Sequence, residues 1–219
     1  LEAETKSKEL EAISTQLSKY LSPQIHEQIF SGKQKAEVKT SRKKLTIFFS
    51  DIVDFTKISD ELESEELTNL LNFYLNEMSL VALKYGGTID KFIGDAILIF
   101  FGDPESEGVE EDARKCVKMA LEMQSRMQAL RGHWGKNFSL INDLQIRIGI
   151  STGYCTVGNF GSNNRIDYTV IGGNVNLASR LESIAKAGSI VISESTYAMI
   201  KSEFAVKQAS EINIKGFLR

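Results

Sequence analysis

The chain has 219 residues, enough for one or two domains around a real core. It is 42% hydrophobic and 25% charged, with a net charge of −3, so nothing global points to nucleic acid or to an anionic membrane. Two cysteines (Cys116 and Cys155) outside any CxxC pair, and two histidines (His26 and His133), are too few for a zinc site and fit reduced thiols in a cytoplasmic protein. No apolar run approaches the ~20 residues of a membrane-spanning helix.

Residues 1–21 are polar and helix-favouring, with Leu10, Ile13, Leu17 and Leu21 forming one narrow apolar stripe. Ser22-Pro23 reads as a cap and first-turn proline that restart a helix through Ile25 and Ile29 to Gly32. Such a stripe either packs on its own domain or forms a dimeric coiled coil, and its position ahead of the globular pattern favours a helical linker over 1–32. The basic cluster Lys33, Lys35, Lys39, Arg42, Lys43 and Lys44 has no interleaved aromatics. It reads as a solvated connector (33–44) rather than a nucleic-acid surface.

From Leu45 the pattern predicts a strand (45–50), a helix (about 64–85), a strand–turn–strand (88–101), a second helix (about 109–131) and a strand (144–154). The first helix carries Leu67, Leu70, Leu71, Tyr74, Leu75, Met78 and Val81 on one face. The second carries Ala113, Val117, Ala120, Leu121 and Met127. This βαββαβ order predicts an α+β fold with a ferredoxin-like core, one sheet whose helices cover one face. A β-rich segment, a helix over 172–186 and strand-like runs at 189–193 and 204–214 complete a domain spanning 45–219. The chain begins at Leu1 without a methionine and stops shortly after Gly216, so it reads as part of something larger.

Two acids stand where apolar strands break the surface: Asp51 after Leu45–Phe49, and Asp95 in the Ile93-Gly94-Asp95 turn. Each alone has an ordinary explanation, a helix cap for Asp51 and turn chemistry for Asp95. On neighbouring strands they would converge into a site for a hard cation such as Mg²⁺, which takes one or two carboxylates plus substrate phosphates. Further on, Tyr168-Thr169-Val170-Ile171 runs through Gly172-Gly173 into a helix, an arrangement whose free N–H groups suit anions. Asn176 and Arg180, four apart, share a helix face. Arg180 is either an exposed ion-pair partner or a phosphate ligand.

Taken together, FSDIVDFT, GGTIDKFIGDAIL, GISTGYCTVGNFGS, YTVIGGNVNLASRLE and the closing IKGF resemble the catalytic domain of class III nucleotidyl cyclases over about residues 40–217. The resemblance implies that Asp51 and Asp95 hold two Mg²⁺ (Mn²⁺ substituting), with the Ile52 carbonyl completing the set. It implies that Phe55 and Thr56 lie in a loop around the triphosphate, and that Asn176 orients the ribose while Arg180 stabilises the α-phosphate. Lys215 would hold the terminal phosphates. Lys91 stands where adenylyl cyclases read the adenine ring nitrogen, and Thr169 where many carry an aspartate that accepts from the adenine amino group. This lysine–threonine pair resembles a bacterial and bicarbonate-responsive subgroup. The implied activity is conversion of ATP to 3′,5′-cyclic AMP and pyrophosphate, in a homodimer with two shared active sites below an upstream sensor. The rivals are a guanylyl cyclase, against which Lys91 argues, and a domain that only binds nucleotide or dimerises. A diguanylate cyclase would need a GG(D/E)EF hairpin where this chain has FIGDA.

Overall fold

A 13-residue strand, β1 (Thr40–Ile52), forms the centre of the computed structural model, which describes residues 2–33, 37–138, 140–162 and 164–207. The strand begins earlier than its apolar run, because Thr40–Lys44 pair with Gly158–Tyr154 of β4 and Lys43 bonds Asp103 at 2.9 Å. Part of the stretch read as a basic connector is therefore the exposed start of a strand. The chain continues through α3 (Phe55–Glu61), α4 (Ser64–Lys84), β2 (Thr88–Ile93) and β3 (Ala96–Phe101). Then come α5 (Val109–Ala129), α6 (His133–Phe138) and β4 (Ile146–Ser162). The domain closes with β5 (Arg165–Ile171), α7 (Gly173–Ile184), β6 (Ile190–Ile192) and α8 (Glu194–Ile200). Residues 204–207, expected to be strand-like, have no regular structure, and 208–214 lie outside the described residues.

The sheet runs β2-β3-β1-β4-β5, antiparallel throughout, with β6 added parallel to β4. This is the expected ferredoxin-like core with a C-terminal extension. β4 reaches well past the predicted end at 154. Its first part pairs with β6 and its last part with β5, while its other edge follows β1 for the whole length of that strand.

Because side chains alternate along a strand, β1 divides its load between two cores. Phe48 and Ile52 face a large core shared with Leu70, Tyr74, Met78 and Val81 of α4 and with Ala113, Cys116, Ala120 and Met123 of α5. Acids in the first turn and a base in the last turn of α4 and α5 complement their dipoles. Leu45 and Ile47 face a smaller core with Leu98, Phe100, Val157, Val170 and Ala178. Ala178 belongs to α7, so the helices do not all lie on one face. α7 covers the side opposite α4 and α5.

Two glycines make that seat. A Cβ at Gly149 would lie 2.1 Å from the Ala178 carbonyl oxygen, and one at Gly153 would lie 2.2 Å from Asn174 Nδ2. Main chain of β4 therefore meets α7 directly. The first turn of α7 is pinned by Asn174, which accepts from Ser151 Oγ (3.1 Å) and donates to the Tyr154 carbonyl (3.2 Å).

At the N-terminus, α1 (Glu2–Leu17) leads through a short 3-10 turn (Ser18–Tyr20) to α2 (Pro23–Phe30). The stripe residues Leu10, Ile13 and Leu17 remain more than half exposed. In α2, Ile25 is buried and Gln24 Nε2 donates to the Gly87 carbonyl at 3.0 Å, so this helix docks on the globular unit. Ser22 takes the cap position expected of it, but its side chain makes no capping bond. Among the described residues, no helix is long and apolar enough to cross a membrane.

Candidate active site

Strand register explains why Asp51 and Asp95 meet. Ser50 pairs with Ile97, so the Gly94-Asp95 turn of the β2–β3 hairpin falls level with Ile52, and Asp95 Oδ2 accepts the Ile52 N–H at 2.9 Å. Gly94 has φ +65 at the first central position of this two-residue turn, which a glycine supplies at no steric cost. On the other side, Asp51 is paired in register with Arg147 of β4. The guanidinium grips it with both arms: Nε to Oδ1 at 2.8 Å and Nη2 to Oδ2 at 2.9 Å. Arg147 Nε also lies 2.6 Å from Glu182 Oε1 of α7. The helix-cap reading of Asp51 fails, because Asp54 and not Asp51 stands at the N-cap of the following helix, α3. Asp54 sits at the N-cap of α3 in the left-handed region (φ 58), without a side-chain capping bond.

The electrostatics are those of crowded acids. Burial, then the charge of Asp51, lifts the Glu182 carboxyl to about 7. Burial raises Asp95 as well, opposed by the Ile52 N–H and reinforced by Asp51. Below them, burial drives the Tyr74 phenol far up, and the charges of Asp95 and Asp51 push it the same way. Among the described residues, Arg147 thus pairs with the carboxylates of both Asp51 and Glu182 while Asp95 stands close by, a surplus of acid that a divalent cation would offset. Among the described residues no three His, Cys, Asp or Glu side chains form a ready metal cluster. Two carboxylates and a main-chain carbonyl are hard oxygen donors, and they fit a cation that completes its shell from substrate phosphates and water.

A second group forms where β5 curls back over β2. The register of β2 against β3 slips between Ile89 and Lys91, making Asp90 the extra residue of a β-bulge. The bulge lets two adjacent side chains reach β5. Lys91 Nζ lies 3.1 Å from Asp167 Oδ2, and Thr169 Oγ1 donates to Asp90 Oδ2 at 2.7 Å. Lys91 and Thr169 are thereby brought together. Asn176 is exposed on α7 and Arg180 half-buried there. Phe55 and Thr56, expected in a loop, instead open α3, with Phe55 against the large core and Thr56 exposed. Lys215 lies outside the described residues.

Sequence reasoning missed Arg147, Glu182 and Asp90. Arg147 and Glu182 acquire meaning only through strand register and the seating of α7. Asp90 adjoined a residue already singled out, but the bulge that turns it inward has no signature of its own.

Paired acids at a strand end suit a divalent cation, and a nearby helix that carries Asn and Arg offers donors to phosphate and sugar oxygens. The family model of the adenylate and guanylate cyclase catalytic domain matches residues 37–219, and the chain belongs to this family. Among solved structures, the adenylyl cyclase CyaB from P. aeruginosa is 55% identical, with a TM-score of 0.80 covering 83% of this chain and 92% of that one. The guanylyl cyclase Cya2 is 37% identical, with a TM-score of 0.76 covering 81% and 88%. A curated relative, the terminal-differentiation-specific adenylate cyclase of Dictyostelium discoideum, is 35% identical over 179 residues. That match takes in 80% of this chain and 8% of that protein, so the chain spans a small part of it.

Proposed function

We propose that the domain is an adenylyl cyclase that converts ATP to 3′,5′-cyclic AMP and pyrophosphate in a homodimer. The ribose 3′-oxygen forms a bond to the α-phosphorus, the bond from that phosphorus to the β-phosphate oxygen breaks, and the 3′-hydroxyl proton passes to water. The observation that carries the choice of ATP is the meeting of Lys91 and Thr169. An ammonium and a hydroxyl side by side offer one donor and one acceptor to a purine edge. The similarity to CyaB supports the same choice. The guanylyl cyclase Cya2 is also similar, and Lys91 argues against its substrate here.

Asp51, Asp95 and the Ile52 carbonyl would hold two divalent cations, Mg²⁺ or Mn²⁺. These would supply Lewis-acid stabilisation of the attacking and leaving oxygens. Asn176 orients the ribose and Arg180 meets the charge that develops at the α-phosphate, so its loss falls mainly on kcat, by about 10²–10³-fold. Phe55 and Thr56 border the triphosphate, and Lys215 holds its terminal phosphates. The cation-binding set of one subunit works with Lys91, Thr169, Asn176, Arg180 and Lys215 of the other, which gives two equivalent sites. Exposed Phe92, Ile93, Tyr154 and Ile171 flank these groups and support an interface there. The outward stripe of α1 supports a helical linker, over 1–32, that brings a signal from an upstream sensor to a catalytic domain at work in the cytoplasm.

Mixing an Asp51→Ala chain with an Arg180→Ala chain tests this reading. Each alone should be inactive, and the mixture should regain activity through one intact site. A mixture that stays inactive while forming heterodimers overturns the shared site. Product analysis with ATP and GTP, in Mg²⁺ and in Mn²⁺, tests the base. Cyclic GMP as the main product would reject the adenylyl assignment, and no product from either would favour a binding module.

A further inference from the structure

A threonine hydroxyl is ambiguous toward a purine. It can accept from the 6-amino group of adenine or donate to the 6-oxo group of guanine, so Thr169 by itself selects neither. The surroundings remove that ambiguity. The single hydroxyl proton of Thr169 points at Asp90 Oδ2, 2.7 Å away, leaving only lone pairs for a ligand. Asp90 is fully buried on the side-chain level, and its other oxygen, Oδ1, lies 3.7 Å from Lys91 Nζ with no hydrogen-bond partner among the described residues. The same carboxylate therefore orients a hydroxyl and faces the neighbouring ammonium. Burial, the largest influence, holds the Asp90 carboxyl above the ordinary range with help from the charge of Asp167, against the pull of the Thr169 hydroxyl, the Lys91 charge and the Val170 N–H. It reaches both partners only because the bulge at Asp90 breaks the alternation that would otherwise turn it away from Lys91.

We infer that Asp90 is a specificity-determining positioning residue, which takes the proton of Thr169 and so fixes this hydroxyl as an acceptor next to the Lys91 donor. An acceptor beside a donor complements the 6-amino and N1 positions of adenine and opposes the 6-oxo and N1–H of guanine. The inference rests on the reading of Lys91 and Thr169 as the base-contacting pair. A purely structural role for Asp90, tying β5 to β2, would alter stability without altering preference at the 6-position.

The test compares kcat/KM for ATP with that for purine riboside triphosphate, which keeps N1 and lacks only the 6-amino group. The wild-type domain should favour ATP by about tenfold, the worth of one hydrogen bond. Thr169→Val should bring the ratio near one. Asp90→Asn should lower it several-fold, because the amide can donate to Thr169 and release its proton. The double variant should behave as Thr169→Val alone. A ratio untouched by Thr169→Val overturns the base-contact reading itself. A ratio that collapses in Thr169→Val but stays at the wild-type value in Asp90→Asn overturns only the role of Asp90. Should Asp90→Asn fail to fold, 6-methoxypurine riboside triphosphate with the wild-type domain decides the matter. A fixed acceptor gains nothing from the 6-oxygen, so this substrate should be used no better than purine riboside triphosphate. Clearly better use would mean that Thr169 donates, and the inference would fall.

Discussion

Gly149→Ala probes how the seat of α7 governs the site. The added methyl carbon would lie 2.1 Å from the Ala178 carbonyl oxygen, 2.2 Å from the Glu182 nitrogen and 2.9 Å from the Glu182 Cα. Non-bonded heavy atoms rest at about 3.5 Å, so α7 has to retreat by roughly 1 Å. All three obstructing atoms are main chain of a helix, and no side-chain rotation relieves them. Overpacking of this kind costs about 3 kcal/mol, the upper end of its usual range. For a chain of this size, that lowers the unfolding midpoint by roughly 6–12 °C. Asn176 and Arg180 ride on the displaced helix, and a misplacement of ~1 Å lowers turnover by about 10²-fold in the molecules that remain folded. Thermal unfolding followed by circular dichroism, with cyclic AMP formation measured well below the midpoint, reads both effects. Gly132→Ala is the control: its φ is +77 and nothing lies within 4 Å of an added Cβ, so it should cost about 1–2 kcal/mol in backbone strain and leave turnover intact. A Gly149→Ala domain with wild-type midpoint and wild-type turnover would refute the direct seating of α7 on β4.

Arg147→Met removes the guanidinium that pairs with Asp51 and Glu182 and should destabilise the domain by about 2 kcal/mol, less than a fully buried pair because both Arg147 and Asp51 retain some exposure. Millimolar Mg²⁺ or Mn²⁺ should raise the midpoint of this variant more than that of the wild type, and equal shifts would reject the charge-balance account. Glu182, lifted to about 7, holds its proton in the folded state after the unfolded chain has released it. Its contribution therefore favours folding most at low pH and is lost as pH rises from the ordinary carboxyl range through about 7. Glu182→Gln should flatten that part of the stability–pH curve, and an unchanged slope would assign it to other groups. Burial pushes both thiols up, Cys155 to about 11, so at pH 8 a disulfide reagent should label the native domain no faster than it unfolds. A rapidly labelled native thiol would contradict the burial of both cysteines.

Local pattern revealed much of this fold. The four-residue recurrence of Leu70, Tyr74 and Met78 marked α4, and apolar runs ending in acids marked β1 and the β2–β3 hairpin. The parts that escaped depend on partners distant in sequence. Thr40–Lys44 are too polar to read as a strand until β4 is alongside, and the second half of β4 is rich in glycine and polar residues. The short helices α6 and α8 carry too few turns for periodicity, although Ser193 caps α8 by accepting from the Thr196 N–H. Gly149 and Gly153 did carry a signal: glycines inside a strand often mark a close backbone approach, and here they announce the second helical layer. At the site, the acids were legible because a carboxylate at a strand end is conspicuous. Arg147 was not, because its value lies wholly in standing across from Asp51.

α7 carries Asn176, Arg180 and Glu182 along a single 12-residue rod, ~18 Å long. In the proposed dimer, Asn176 and Arg180 act at one centre, while Glu182 abuts the Asp51–Arg147 pair of the other. One stiff element then belongs to both centres, and thermodynamic reciprocity applies: whatever cation occupancy at Asp51 does to the ligand held by Arg180, that ligand does in equal measure to cation occupancy. The two halves of such a dimer titrate as a linked pair, and the departure of their nucleotide saturation from a simple hyperbola measures how tightly the rod joins them.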